Sequence, residues 1–172
     1  MESGNEIINR VAQSSIKVLD LEELYVPGER VLLDIKDQLF QGMILREKSF
    51  RDFLKTHDWS QYQGKLVAIT CSVDAIVPTW AYMLLCSALE PYAAAIVFGE
   101  IEDVESKVFF DAFEKIDWQQ YKDAKVVIKG CSKVAVPVAA YVEATRRLRS
   151  VAASIMFGEP CSTVPVFKKS RI

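Results

Sequence analysis

The chain has a single histidine, His57, among its 172 residues. Any Ser-His-Asp or Cys-His arrangement would have to run through that one imidazole. The sequence also lacks a glycine-rich phosphate loop, a dinucleotide-binding glycine fingerprint, a Gly-x-Ser-x-Gly elbow and a His-Glu-x-x-His pair. No Cys-x-x-Cys spacing occurs. An excess of one charge is missing too: 21 Lys and Arg face 23 Asp and Glu, a net charge of -2, which leaves no footprint for nucleic acid. The one basic cluster, Arg146-Arg147-Leu148-Arg149, is balanced by acidic residues elsewhere, and the tail Lys168-Lys169-Ser170-Arg171 is short. Long apolar runs are absent as well. The longest uncharged stretch, Ala75 to Leu89, is interrupted by Pro78 and closed by Glu90-Pro91, short of the roughly 20 residues that span a bilayer. The N-terminal "MESGNEIINR" has no apolar core of a signal peptide. These absences predict a cytoplasmic protein without nucleic-acid or membrane partners. Its four cysteines, Cys71, Cys86, Cys131 and Cys161, are then expected as reduced thiols.

What is present is repetition. "DWSQYQGKLVAITCSVDAIVPTWAYMLLCSALEPYAAAIVFGE" (58–100) aligns with "DWQQYKDAKVVIKGCSKVAVPVAAYVEATRRLRSVAASIMFGE" (117–159). With one gap before the lysine and one after the serine, nineteen positions are identical, against about three expected by chance at ordinary residue frequencies. They include Asp58/Asp117, Trp59/Trp118, Tyr62/Tyr121, Lys65/Lys125, Cys71/Cys131, Pro78/Pro137, Tyr82/Tyr141 and Phe98-Gly99-Glu100/Phe157-Gly158-Glu159. "FRDFLKTHDW" (50–59) over "FFDAFEKIDW" (109–118) extends the match upstream, giving a unit of about 59 residues that occurs twice.

Each copy parses alike. "KLVAITC" and "KVVIKGC" are rich in β-branched residues and read as strands. Pro78 and Pro137 fit the first turn of helices over about 78–90 and 137–149, where a missing N–H costs nothing. "AAAIVFG" and "AASIMFG" are short apolar runs, read as buried strands ended by Gly99 and Gly158. Residues 101–117 place apolar side chains on one helical face, with a counterpart over about 46–57. Alternating strands and helices predict a mainly parallel sheet flanked by helices. In residues 1–45, "NEIINRVA" reads as a short helix. "IKVLDL", "RVLLDI" and "LFQGMIL" read as strands, added antiparallel to that sheet, with a turn near Pro27-Gly28. The whole, 1–172, is expected as one α/β domain: N-terminal strands to 45, copies over 46–100 and 101–159, and a C-terminal tail from 160.

The site follows from this topology. Cys71 and Cys131 close two parallel strands, Glu100 and Glu159 follow two others, and Cys161 comes two residues after Glu159. All five are expected at the carboxyl edge of the sheet, where open α/β sheets bind ligands. Two helix starts, with unpaired N–H groups, point to the same edge. Three readings stay open. Cys-Ser can be a strand-to-helix turn in which a small buried thiol packs and serine caps. Cys71, Cys131 and Cys161 can form a thiolate centre, redox or binding zinc or iron, with a glutamate or His57. Ser72, Ser132 and Thr79 can donate to a small anion or phosphorylated ligand. The copies differ in this loop: Asp74, Thr79 and Trp80 stand in one, Lys133, Val138 and Ala139 in the other. Ser72, Asp74, Thr79, Glu100, Ser132 and Glu159 are the candidate ligand-binding residues. Cys86, mid-helix, is expected in the core, Trp59 and Trp118 under the sheet, and Asp58 and Asp117 in local loop hydrogen bonds. The expectation is an interaction or small-ligand-binding module without an assigned reaction. A homodimer through an exposed sheet edge or apolar helix face is compatible with it.

The stretches "DIKDQLFQGMILREKSFRDFLKTHDWSQYQGKLVAITCSVDAIVPTWAYMLL" and "GEPCSTVPVFK" resemble a bacterial family, the domain of unknown function numbered 2480, over nearly the whole chain. The resemblance implies a small cytoplasmic bacterial protein and carries no catalytic residues. A looser likeness is to STAS-type domains, which also place a strand, a short loop and a serine-bearing helix start in series. Pro78-Thr79 stands at that serine's position here.

Overall fold

The computed structural model describes residues 16–130 and 133–170. In chain order these form β1 (Ile16–Asp20), β2 (Arg30–Asp34), β3 (Leu39–Phe40), β4 (Ile44–Leu45), α1 (Glu47–Thr56), β5 (Leu66–Thr70), α2 (Thr79–Leu89), β6 (Ala95–Phe98), α3 (Ile101–Glu114), β7 (Lys125–Lys129), α4 (Val138–Arg149), β8 (Ser154–Glu159) and β9 (Ser162–Lys168). They divide into two compact units. A middle unit runs from Val26 to Asp111; a terminal unit combines the described parts of 1–25 and 112–172. The fold is mixed α/β with mostly parallel strand pairs.

In the middle unit the sheet order is β2-β5-β6, all parallel. β5 is the central strand, and its residues Leu66 to Ile69 are buried on both faces. That burial explains why "LVAI" is continuously apolar instead of alternating. Helix α2 buries Ala81, Leu85 and Leu89, a four-residue spacing that keeps one stripe on the core. Helix α1 buries Phe50, whose ring meets Phe53 at 5.9 Å and Trp80 at 6.2 Å. Below the strand, Asp58 caps a short 3-10 turn, Trp59–Tyr62, by accepting from the Ser60 N–H at 3.0 Å. The Trp59 indole N–H donates to the Leu54 carbonyl at 2.8 Å.

In the terminal unit the order is β1-β7-β8-β9. β1, β7 and β8 are parallel, and β9 returns antiparallel to β8. Val126, Val127 and Ile128 of the central strand β7 are buried. Helix α4 buries Ala140, Ala144 and Leu148. Asp117 caps the turn Trp118–Tyr121 through the Gln119 N–H at 3.0 Å, and the Trp118 indole donates to the Phe113 carbonyl at 3.1 Å. The basic cluster is paired within the unit: Arg146 and Arg147 hold Glu143 at 2.6 and 2.7 Å, and Arg147 also reaches Glu114.

Several expectations are corrected. The N-terminal strands are not antiparallel additions to one sheet. β1 joins β7 and β2 joins β5, each in parallel and in separate sheets. A parallel partner lies far away in sequence and leaves no hairpin signal beside the strand. "LFQGMIL" is a two-stranded hairpin, β3 against β4. Its turn puts Gln41 at φ 53 and Gly42 at φ 69, the left-handed pair of a type I′ turn. The segment from 160 is not a tail, because Ser162–Lys168 is strand β9. Pro78 and Pro137 sit one residue outside their helices, at extended ψ of 140 and 145. Cys86 is exposed: it falls next to, and not on, the 81, 85, 89 stripe. "NEIINRVA" lies outside the described residues.

Because Phe50 is fully buried among aromatic rings, Phe50→Ala leaves a cavity that the unit cannot close. Urea denaturation is expected to show a loss of about 3–5 kcal/mol.

Candidate functional site

The carboxyl edge of the middle sheet collects residues from three strand ends. Asp34 ends β2, and its register partner Thr70 ends β5. The Ser72 hydroxyl donates to Asp34 Oδ2 at 2.5 Å, and the Ser72 N–H to Oδ1 at 3.2 Å. The Lys36 N–H donates to Oδ1 at 3.0 Å and its ammonium lies 3.3 Å from Oδ2. Burial pushes the Asp34 carboxyl up, but the Ser72 hydroxyl, the two N–H groups and Lys36 outweigh it and hold the group at about 2. The Thr70 hydroxyl, which is buried, donates to Glu100 Oε1 at 3.1 Å. Beyond β6, the Glu100 N–H donates to Asp103 Oδ2 at 2.8 Å, a side-chain cap on α3. Gly99 makes that turn at φ 136, and a Cβ there would collide with the Asp103 carboxylate.

An apolar groove runs from this edge along α2. It is lined by Thr79, Tyr82, Met83, Cys86 and Phe98. Tyr82 and Phe98 meet edge-on, centroids 4.9 Å apart at 74°, a favoured aromatic geometry. Helix α2, "TWAYMLLCSAL", contains no charged residue. Its outward Met83 is 66% exposed, and Phe98 of β6 beside it is 67% exposed. Large exposed apolar side chains gathered in one place mark a contact surface more often than a solvated one.

The terminal unit carries its own version. Asp20, in register with Lys129, pairs with that ammonium at 2.9 Å and accepts from the Glu22 N–H at 3.0 Å. Hydrogen bonding to Asp20, helped by its charge, holds Lys129 above its usual value. The Lys133 N–H donates to Glu22 Oε1 at 2.9 Å. The corresponding groove is lined by Ile128, Val138, Tyr141, Thr145, Phe157 and Val166, and its Tyr141–Phe157 pair lies at 5.6 Å and 80°.

Of the residues singled out in the sequence, Ser72 and Glu100 are fixed at the middle edge, Asp74 lies exposed in the adjoining loop and Thr79 lines the groove. Glu159 ends β8, exposed, and pairs in register with Ser162. Cys71 is half-buried with its Sγ 3.6 Å from the Val73 carbonyl, and Cys161 is exposed in the β8–β9 turn. Cys131 and Ser132 lie outside the described residues. Among the described residues no group of three or more His, Cys, Asp or Glu can hold a metal ion, so the zinc or iron reading gains no support. His57 instead packs among the rings of Phe53, Trp59 and Tyr62, centroids 4.9, 4.6 and 5.8 Å away, and only the Tyr62 pair is stacked. Asp34 was not anticipated; the only sequence sign of it is that "KVLD" and "RVLLD" both end an apolar run in aspartate.

The sequence matches, over residues 5–169, the family described as protein of unknown function (DUF2480). No curated protein and no solved structure matches the chain. No helix among the described residues is long and apolar enough to cross a membrane.

The Asp34 network has a pH signature. Its folded value, about 2, lies below the ordinary 3.8, so the unfolded chain binds the proton more readily. The resulting stability is present above about pH 4 and is lost as pH falls through 2. Urea midpoints of wild type are expected to decline across that window, and Asp34→Asn is expected to have a lower midpoint at pH 7 with a shallower acid decline.

Proposed function

The chain belongs to that family of unknown function, and from its geometry we propose that it is a non-catalytic binding module built from a duplicated unit. The observation that carries this reading is the uncharged outer face of α2 and the exposed Phe98 beside it, opening onto an acidic carboxyl edge. The equivalence of Thr79, Tyr82, Cys86 and Phe98 with Val138, Tyr141, Thr145 and Phe157 in the alignment supports the duplication. Both copies keep an aromatic pair at the mouth of a groove while the polar residues around it diverge.

The occupant is a peptide segment carrying an apolar side chain followed by lysine or arginine. The apolar side chain fills the groove against Tyr82, Met83 and Phe98. The cation meets the carboxylates that follow the two strands, Asp74 in the exposed loop after β5 and Glu100 and Asp103 at the start of α3. Residues 26–111 contain thirteen Asp and Glu against eight Lys and Arg, so the unit as a whole attracts a cation and opposes an anion. That argues against the phosphorylated-ligand reading of this edge. Ser72 serves by locking Asp34, and the loop it holds, in place. Catalysis is not part of the proposal: Asp34, held at about 2, is too weak a base to take a proton near neutral pH.

The test is a heteronuclear NMR titration with N-acetyl-phenylalanyl-lysine amide, and with its phenylalanyl-glutamate counterpart as control. Shifts are expected at Thr79, Met83, Cys86 and Glu100 with the lysine peptide, weakened several-fold by Glu100→Lys. Equal shifts with the glutamate peptide, or none near α2, would contradict the proposal.

A further inference from the structure

The two sheets differ at one place. In the terminal unit, β8 lies between β7 and β9. In the middle unit, β6 is the last strand, and among the described residues nothing pairs with its outer side. The alignment sets Ile96 on Ile155 and Phe98 on Phe157, so β6 occupies the position of β8 without an equivalent of β9. The consequence is visible in exposure. Ile155 is 0% and Phe157 44% exposed, whereas Ile96 is half-buried and Phe98 67% exposed. β9 also completes the terminal groove, because Val166 forms one of its walls. The middle groove has no residue from such a strand.

An edge strand presents unpaired N–H and C=O groups that will template another strand, and proteins blunt it with charge, proline, a bulge or a cover. "AAAIVFG" has neither charge nor proline, and its ladder with β5 runs in unbroken register. The chain turns at Gly99 directly into α3, so no adjoining segment returns to cover it.

We propose that β6 pairs antiparallel with β6 of a second copy of this chain, about a two-fold axis, joining two three-stranded sheets into one of six strands. The proposal deepens the binding-module reading by naming what covers this edge and supplies the missing groove wall. Self-pairing suits the sequence. Groups facing outward alternate along a strand, so a two-fold pair must set one residue opposite itself. With Ile96 on the axis, Ala95 faces Val97 and Ala94 faces Phe98 of the partner copy, small against large. No charge meets its like within the paired strands, as would happen if two charged edges met. The second copy then stands to β6 as β9 stands to β8.

Light scattering on wild type, Phe98→Lys and Phe157→Lys tests this. At micromolar concentration wild type is expected at twice the 19.4 kDa chain mass, Phe98→Lys at the chain mass, and Phe157→Lys, whose strand is already covered, at twice it. Because Phe98→Lys could fold poorly, amide hydrogen exchange of wild type supplies a second readout. The outward amides of β6 are expected to slow as concentration rises, while those of β9 stay constant. A wild type at chain mass, a dimeric Phe98→Lys, or β6 exchange that ignores concentration would each overturn the pairing. A monomer that still shifts Thr79 and Met83 with the lysine peptide overturns the pairing alone. A dimer without those shifts overturns the groove reading alone.

Discussion

Two strands, β5 and β7, must be buried on both faces, and the rest of each unit follows from that requirement. A parallel strand cannot be joined to its neighbour by a tight turn; the chain has to cross over, and the crossover supplies the cover. α2 carries the chain from β5 to β6, and α4 from β7 to β8. Each lays a stripe of alanine and leucine on its sheet: Ala81, Leu85 and Leu89 in one, Ala140, Ala144 and Leu148 in the other. The small alanines near the start of each stripe let the helix approach the sheet closely. The same crossovers bring strand ends, loops and helix starts to one edge, which is where the candidate site lies.

Within that frame the two units use one strand-end aspartate differently. Asp20 faces Lys129 and is neutralised by it at 2.9 Å. Asp34 faces Thr70, which turns instead to Glu100, while Ser72 and Lys36 take the aspartate. Opposite the aspartate stands Lys129 in the terminal unit and Thr70 in the middle one, where the carboxylates of Glu100 and Asp103 follow close by. The helices diverge in the same sense. α4 exposes Arg146 beside the apolar Val138 and Val142, whereas α2 exposes Met83 and carries no charge.

Much of this was legible in the sequence, and what was not has a physical reason. The strands and helices within 58–100 and 117–159 announce themselves through apolar runs, proline and glycine at their ends. β1 and β2 did not reveal their partners, since Ile16 pairs with Lys125 and Arg30 with Leu66, and a parallel ladder leaves no local turn to read. β9 was hidden by Pro165, which argues against a strand; the ladder accommodates it beside a register shift between Ile155 and Met156. The Gln41-Gly42 turn lacks the usual Asn-Gly signal, so its hairpin read as one strand. Ser72 and Glu100 could be placed at the carboxyl edge because they follow the apolar runs that read as β5 and β6. Asp34 could not, because it arrives on the strand whose partner was unknown. The groove was missed for another reason: an uncharged helix such as α2 reads as buried all round, and only the structure shows Met83 and Cys86 on its outside.

The claim on which all of this rests is that one design occurs twice, with its strand slot filled in one copy and open in the other. A crystal structure with 58–100 superposed on 117–159 tests it most directly. Strand, helix and strand are expected to coincide in both segments, with departures at the gap before the lysine and at the loop after Cys-Ser, and with β9 alongside β8 alone. Different strand directions in the two segments, or a strand of the same chain already lying on the outer edge of β6, would contradict it.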